Sequence, residues 1–473
     1  MPDEAAAAAL PDPAEAGRLH PGNVIPTLLL LCCGALTAAG KLGGWHAAIT
    51  GATVLAGLFM VLELVRVPRQ PLITAAVFIA VGSAIAYYTG DLMPVLVRAS
   101  EGTLVFIVLF VSVAFLRYPA LHSPSMHAAR EVIISQPPGR RYTTLSIAAH
   151  LFGALTNIAA LSLLTTFLHS GLSTLARERM ACAMTRGFAV GAIWSPFFVS
   201  IAVILYVMPD MTWLKIAGGG VPLAVLLLAY GTIFDRFMNR PRRDAPPPGT
   251  APQPLALEGR VVGRIAVLAL VLVGSILTLS ESLALSTPVA IFLVTPLISI
   301  AWQALLVRAG ASGSLPMMAR RVVEGICGLR MEIAVFFSAN FLGYAAGRAI
   351  DPDALAAALQ SVHIVGPLAI FLLLATMLSL TMLMLHPLVL VVLAGQVFPT
   401  EALGVHDTSL ALCMALVWGV GVTCSPASGL TLFMLRVLDR SPFYLAWRLN
   451  ALYAVGGFVL GGLYISVVNT WFL

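Results

Sequence analysis

The sequence predicts an all-α polytopic membrane protein with two inverted five-helix repeats and an extra N-terminal helix. Hydrophobic residues make up 59% of the 473 residues and charged residues only 10%, whereas soluble domains carry about 25% charge. Two long apolar stretches are each interrupted by a Ser-Pro pair, at Ser195-Pro196 and Ser425-Pro426. Because proline disrupts a helix interior, each repeat is expected to contain one broken helix.

The sequence around the two Ser-Pro pairs belongs to a repeat. ACAMTRGFAVGAIWSPFFVSIAVIL from Ala181 aligns with ALCMALVWGVGVTCSPASGLTLFML from Ala411, and VSVAFLRYPA from Val111 aligns with FSANFLGYAA from Phe337. Between these blocks, TNIAALSLL from Thr156 lies opposite LHPLVLVVL from Leu385. Three blocks in the same order at nearly constant offset indicate an internal duplication.

Taken in order, the chain offers eleven apolar stretches of the length needed to cross a bilayer, about 20 residues each. Residues 1–23 form a polar tail, expected to be disordered and cytoplasmic, and the extra first helix follows. Repeat 1 covers 41–235, a cytoplasmic Arg- and Pro-rich linker covers 236–260, and repeat 2 covers 261–473. The predicted spans are 24–40, 45–66, 71–90, 102–118, 179–208, 213–235, 261–280, 283–307, 327–348, 407–438 and 448–472.

Two further apolar regions, 142–169 and 364–398, do not divide into two full spans, and both carry polar residues near the middle. We expect each to be a re-entrant hairpin that enters the bilayer and returns to the same side. The broken helices are then 179–208 and 407–438. Irregular backbone at this depth is tolerated only where it is buried in protein or lines a wet cavity, and paired breaks of this kind indicate a transporter binding site.

The arginines set the expected topology. Placing the linker in the cytoplasm puts most arginines of the short loops on that side, as the positive-inside rule requires. The N-terminus is then cytoplasmic and the C-terminus lies outside, in a bacterial inner membrane. The net charge of +6 therefore reflects topology, with no nucleic-acid partner expected. The six cysteines show no CxxC spacing, so neither a disulfide framework nor a metal centre is expected.

The hairpin tips and helix breaks contain the candidate site residues. Helix N-termini present free N–H groups and hold anions, so four helix starts near the midplane would form a cradle for a small anionic substrate. The competing interpretation is that these Ser and Thr side chains only form hydrogen bonds with their own helix or a neighbouring one. The candidate substrate-binding residues are Thr156, Asn157, Ser195, Pro196, His386, Pro387, Ser425, Pro426 and Ser428.

A coupling ion, Na⁺ or H⁺, is the expected co-substrate, and no cofactor is expected. Thr156, Asn157, Gly191, His386 and Gly421 are the candidate ion-coupling residues, with a Na⁺ site near Asn157 and Gly191. Among them, His386 has a side chain that titrates near neutral pH.

These stretches resemble the ion transporter superfamily, and within it the divalent anion:sodium symporter (dicarboxylate/citrate) family. The first tip, Leu155-Thr156-Asn157-Ile158, is close to that family's Ser-Asn-Thr pattern, whereas the second tip, with His386-Pro387, departs from it. The breaks resemble the family's Gly-rich Thr-Pro or Pro-Pro-Asn turn but lack the Asn of that pattern. The resemblance implies two inverted repeats with hairpins, sodium coupling and a homodimer.

The function expected is secondary transport of a small organic anion, a carboxylate, coupled to a cation by elevator-type alternating access. One alternative is a cation/proton antiporter, which needs a buried Asp or Glu that the predicted site lacks. Another is a membrane-embedded lipid-modifying enzyme, for which the loops are short and poor in acidic and His residues. The charged residues Glu63, Arg186, Arg330 and Glu332 fall near predicted span ends, where snorkelling is the default expectation for the arginines.

Overall fold

A computed structural model describes residues 21–165, 168, 173–238, 258–311, 313–435 and 437–472. Most of those residues are helical, and nine of their helices are long and apolar enough to cross a membrane. The chain is therefore a polytopic membrane protein. Most of the predicted tail, most of the linker, the end of the first hairpin region and Leu473 lie outside the described residues.

The first half contains helices α1 to α10, and α1 begins at Pro21, within the predicted tail, rather than at residue 24. Their bounds are α1 Pro21–Gly43, α2 His46–Glu63, α3 Arg69–Thr89, α4 Leu92–His122, α5 Pro124–Ser135, α6 Pro138–Thr156, α7 Ile158–Thr165, α8 Thr174–Val190, α9 Val199–Val207 and α10 Trp213–Met238.

The second half contains helices α11 to α20. Their bounds are α11 Gly259–Ser282, α12 Thr287–Arg308, α13 Leu315–Cys327, α14 Arg330–Arg348, α15 Pro352–Ser361, α16 Pro367–Met382, α17 Pro387–Val397, α18 Asp407–Gly419, α19 Gly429–Met434 and α20 Asn450–Phe472. From α4 to α10 and from α14 to α20 the elements follow the same order: a long helix, a short helix, a helix pair, a broken helix and a closing helix.

The helices pack in two groups. Helices α1 to α4 pack with α12, α13 and α14, whereas α6 to α10 pack with α16 to α20. Contacts of α14 with α17, and of α4 with α9, join the two groups. The second group contains both Ser-Pro segments and both helix pairs.

Both Ser-Pro segments interrupt their helices. After α8 the chain makes a 3₁₀ turn, Gly191–Ile193, and α9 starts only at Val199; after α18 a 3₁₀ turn, Gly421–Cys424, precedes α19. The rigid proline ring and its missing N–H account for the position of each break.

Each predicted hairpin region is divided into two helices at its expected tip. Helix α6 ends at Thr156 and α7 begins at Ile158, so Asn157 is the single residue between them. Helix α16 ends at Met382 and α17 begins at Pro387. The return of each pair to one side of the bilayer, and the inverted orientation of the repeats, stay predictions.

Several loops assigned from the sequence are helical. Helix α4 runs from Leu92 to His122, so Arg98 and Glu101 lie within a helix rather than in a loop. The short helices α5, α13 and α15 also lie in regions read as loops. An apolar-length criterion misses such segments because their polar residues occupy one face of a helix.

Two charged residues expected near span ends form a buried ion network. The carboxylate of Glu63, with 1% of its surface exposed, accepts from Arg66 at 2.9 Å and pairs with Arg330 at 2.9 Å. This network joins the end of α2 to the start of α14. Removing one partner from a buried pair leaves an uncompensated charge, so the network stabilises this contact between the two helices.

Candidate substrate cavity

A cavity of about 330 Å³ lies between the two packing groups. One wall comes from α3, α4 and α14, and the other from the two helix pairs and the two breaks. Ligand sites for small molecules are commonly of this size and largely apolar with a few polar groups. The polar side chains of the lining are Thr74, Asn157, Glu332, His386, Ser425 and Ser428, and Trp418 adds an indole.

Residues at four helix starts meet in this cavity. Asn157 precedes α7, Val199 begins α9, Pro387 begins α17 and Gly429 begins α19, and all four line it. The start of α9 has no side-chain cap, and helix starts without a cap are places where a ligand can accept hydrogen bonds. The four helix starts named by the sequence therefore lie at one cavity, and their use as an anion cradle stays a prediction.

Asn157 has an unusual backbone. Its φ of 54° lies in a region that non-glycine residues rarely adopt, and its Nδ2 donates to the carbonyl oxygen of Phe197 at 3.1 Å. This bond ties the tip of the first helix pair to the first break. The second tip contains Met384, also with positive φ, at 69°. Such backbone strain is concentrated at functional sites.

We expect Asn157→Ala to weaken substrate binding and to lower the stability of the tip, because it removes the amide bond to Phe197 and leaves a Cβ residue at positive φ. Asn157→Gly is the matched control, since glycine adopts this φ freely but also lacks the amide. Binding measured at several pH values should fall in both variants. If Asn157→Gly bound substrate with the affinity of the wild type, the side-chain amide of Asn157 would have no part in substrate binding.

His386 caps α17. Its Nδ1 accepts the N–H of Leu388 at 3.2 Å, so the ring is the tautomer that carries hydrogen on Nε2 and can donate that hydrogen. The ring lies edge-on to Phe336, with ring centroids 5.3 Å apart, and to Trp418, 6.2 Å away. Protonation at Nδ1 would end the cap and free the N–H of Leu388.

Ser425 and Ser428 lie at the second break and line the cavity. Ser428 caps α19: its hydroxyl accepts the N–H of Thr431 at 3.1 Å and donates to the carbonyl oxygen of Val422 at 2.7 Å. The carbonyl of Ser425 accepts from the Thr431 hydroxyl at 3.0 Å. These bonds hold the break in shape, because they satisfy backbone groups that the interrupted helix leaves unpaired.

Other predicted site residues lie behind the cavity wall. The Thr156 hydroxyl donates to Phe152 of its own helix at 2.9 Å, and Ser195 donates to the carbonyl of Ala154 at 2.6 Å. Both are buried, and Ser195 fastens the first break to α6. The other members of this group are Pro196, Gly191, Pro426 and Gly421, which are buried in the two breaks.

Glu332 lines the cavity and was not among the predicted site residues. It lies in the first turn of α14, and its Oε2 is buried without a hydrogen-bond partner among the described residues. Phe336, one turn further along the same face, contacts the His386 ring. The sequence did contain a signal for Glu332, because it is a charged residue within a predicted apolar span. Such residues are rare in membrane helices and usually functional.

Arg186 is placed differently from expectation, and the neighbouring His150 does not line the cavity. His150 accepts from the indole of Trp194 at 3.3 Å, beside the first break but outside the cavity lining. Arg186 is only 5% exposed and does not snorkel: it donates to Asn450, Tyr142 and the carbonyl of Leu449. The described residues hold no cluster of three His, Cys, Asp or Glu side chains able to bind a metal ion.

The fold is shared with known membrane transporters. The chain is similar to the YdaH transporter of Alcanivorax borkumensis, with a TM-score of 0.58 and 13% identity over 83% of this chain and 98% of that chain. It is also similar to MtrF of Neisseria gonorrhoeae, from a class of antimetabolite efflux pumps, with a TM-score of 0.55 and 11% identity over 84% and 94% of the two chains. No protein-family model and no curated protein sequence matches it.

Proposed function

We propose that the protein is a secondary active transporter of a small organic anion, a carboxylate, driven by a cation gradient. The observation that carries this proposal is the cavity between the two packing groups, where four helix starts meet with Asn157, His386 and Ser425. The fold likeness to transporters supports a carrier rather than a lipid-modifying enzyme.

The cavity suits an anion that also has an apolar part. Donors come from the Nε2 of His386, the uncapped start of α9 and the Ser425 hydroxyl, while Phe110, Phe336 and Trp418 supply apolar walls. Helix starts stabilise negative charge. Transport would be of the elevator type, in which the second packing group moves against the first.

Proton coupling is supported by the two titratable side chains that line the cavity, Glu332 and His386. The Oε2 of Glu332 is buried without a hydrogen-bond partner among the described residues, and a carboxylate oxygen placed in this way is costly unless it binds a proton or cation. Glu332 is thus the exchange group that a cation/proton antiporter needs, which makes antiport the second candidate. Sodium bound by carbonyl oxygens near Asn157 and Gly191 is the coupling alternative.

The finer assignments form part of the same proposal. They are membership of the divalent anion:sodium symporter family, the inverted repeats with re-entrant hairpins, a homodimer, and an inner-membrane location with the N-terminus inside. Export is a further possibility to test, since MtrF belongs to a class of efflux pumps.

The direct experiment is transport by the purified protein in proteoliposomes. Radiolabelled mono-, di- and tricarboxylates are offered with a proton gradient, a sodium gradient or neither, and both directions are measured. We expect at least one carboxylate to accumulate only when a cation gradient is imposed. Failure of every carboxylate under every gradient, with intact folded protein, would contradict the proposal.

The pH profile of transport is expected to depend on His386. His386→Asn removes the titratable ring but keeps a good helix cap, so it should retain some binding and shift or lose the pH dependence. His386→Ala should lose both, because the start of α17 is then uncapped. An unchanged pH profile in His386→Asn would make this residue a packing element only.

A further inference from the structure

A second cavity, of about 590 Å³, lies where α8, α10 and the start of α20 meet. It is distinct from the substrate cavity, with which it shares no lining residue. Four of its lining residues are charged: Glu178, Arg179, Arg186 and Arg448. Its other walls are mainly apolar.

The charges of this second cavity are not balanced. Glu178 pairs with Arg440 at 2.7 Å, and Arg179 pairs with the buried Asp235. Neither Arg186 nor Arg448 forms an ion pair with a carboxylate in the described part of the chain. Among the described residues, two positive charges at the cavity are therefore unpaired, and Arg186, which carries one of them, is only 5% exposed.

Arg186 is held in a fixed position and still has unused N–H groups. Three of its five N–H groups bond Asn450, Tyr142 and Leu449, and its guanidinium lies over the rings of Tyr453 and Phe234, 4.5 Å and 5.1 Å from their centroids. A guanidinium fixed in this way is preorganised to bind phosphate oxygens with its remaining donors.

The backbone beside Arg186 is also irregular. A π-helical turn, Tyr444–Leu449, precedes α20, and its last carbonyl is the one that accepts from Arg186. Such turns are rare and are often found at functional sites. The turn brings Arg448 and Trp447 to the rim of the cavity.

The exposed rim of this second cavity consists largely of apolar side chains. Leu452 is 61% exposed, and Leu175, Met238, Trp447 and Val455 are exposed too. In a chain that crosses a membrane, an exposed apolar wall of this kind contacts acyl chains. Tryptophan beside arginine is typical of the membrane–water interface, and the sequence topology places Arg448 on the cytoplasmic side.

We propose that this second cavity binds an anionic phospholipid, with its headgroup phosphate on Arg186 and Arg448 and an acyl chain along Leu452 and Val455. Basic pockets between membrane helices on the cytoplasmic side bind anionic headgroups. The lipid would supply the negative charge that pairs with these two arginines. It would also join α8, which leads into the first break, to α20.

The experiment measures lipid binding to the delipidated full-length protein in detergent. Native mass spectrometry and the thermal midpoint are recorded with dioleoylphosphatidylglycerol, dioleoylphosphatidylcholine, or inorganic phosphate. We expect the anionic lipid to bind and to raise the midpoint, and the other two to do neither. If inorganic phosphate binds as well as the anionic lipid, the ligand of the cavity is a free anion. If phosphatidylcholine binds as well, the arginine charges do not select the lipid. Either result overturns the proposal.

Variants locate the binding. Arg448 is exposed and makes no ion pair among the described residues, so Arg448→Gln should fold and bind the anionic lipid about fivefold more weakly, the effect of one interfacial arginine. Leu452→Asp, at an exposed wall position, should weaken it similarly. Arg308→Gln, at an exposed arginine at the end of α12, is the matched control and should bind as the wild type does. Equal losses in Arg448→Gln and Arg308→Gln, or no loss in Arg448→Gln, would overturn the assignment.

Discussion

Glu332→Gln is expected to abolish proton-driven accumulation of substrate, while exchange of substrate across the membrane continues. Glutamine resembles the protonated carboxyl in shape but cannot release the proton, so the carrier moves only in the loaded form. The side chain lines the substrate cavity and its Oε2 is buried without a partner among the described residues. The readouts are gradient-driven uptake and counterflow in the same proteoliposomes.

The control for this substitution is Glu324→Gln. Glu324 pairs with Arg320 and Arg321 on α13, away from the cavity lining, and partly exposed pairs contribute little. Both activities should therefore persist in Glu324→Gln. Gradient-driven uptake by Glu332→Gln at the wild-type level, with the same pH profile, would assign coupling to another group and leave the anion proposal standing.

Gly187→Ala is expected to destabilise the fold by about 3 kcal/mol or more, because overpacking against rigid backbone cannot be relieved by a side-chain rotation. A Cβ at Gly187, in α8, would lie 2.1 Å from the carbonyl oxygen of Ser146 in α6. The two helices pack at this point, and α8 leads directly into the first break. The measurement is the thermal midpoint and the elution profile of the purified variant.

Gly218→Ala is the matched substitution. Gly218 also lies within a helix, α10, but a Cβ there meets nothing within 4 Å. Alanine is the better helix former, so this variant should be as stable as the wild type or slightly more so. Equal behaviour of the two variants would mean that α6 and α8 do not pack as closely as described.

The sequence by itself determined the class of protein and the places where the two broken helices and the two helix pairs are interrupted. Apolar length is tied to bilayer thickness, and proline cannot continue a helix. Thus the membrane class and the positions of both breaks follow from local chemistry. The tips at Asn157 and His386 also follow, since polar residues inside an apolar region mark backbone that leaves the helix.

Only the tertiary structure decided which polar side chains face the cavity. Thr156 and Asn157 are adjacent in sequence, yet Thr156 bonds its own helix and Asn157 lines the cavity. Ser195 and Ser425 occupy equivalent repeat positions, yet only Ser425 reaches the lining. A helix that is apolar on all sides has no amphipathic face from which its rotation about its own axis can be predicted. Packing against neighbouring helices sets that rotation.

Glu332 and Arg186 show the same limit for charges. Both lie near predicted span ends, and for Arg186 that position indicated snorkelling, which depends on distance to the interface. The packing of α14 against α17 instead turns Glu332 into the substrate cavity, and Asn450 and Tyr142, far away in sequence, hold Arg186 inside. A buried charge is tolerated where other elements supply its partners, and partners distant in sequence are set by tertiary packing.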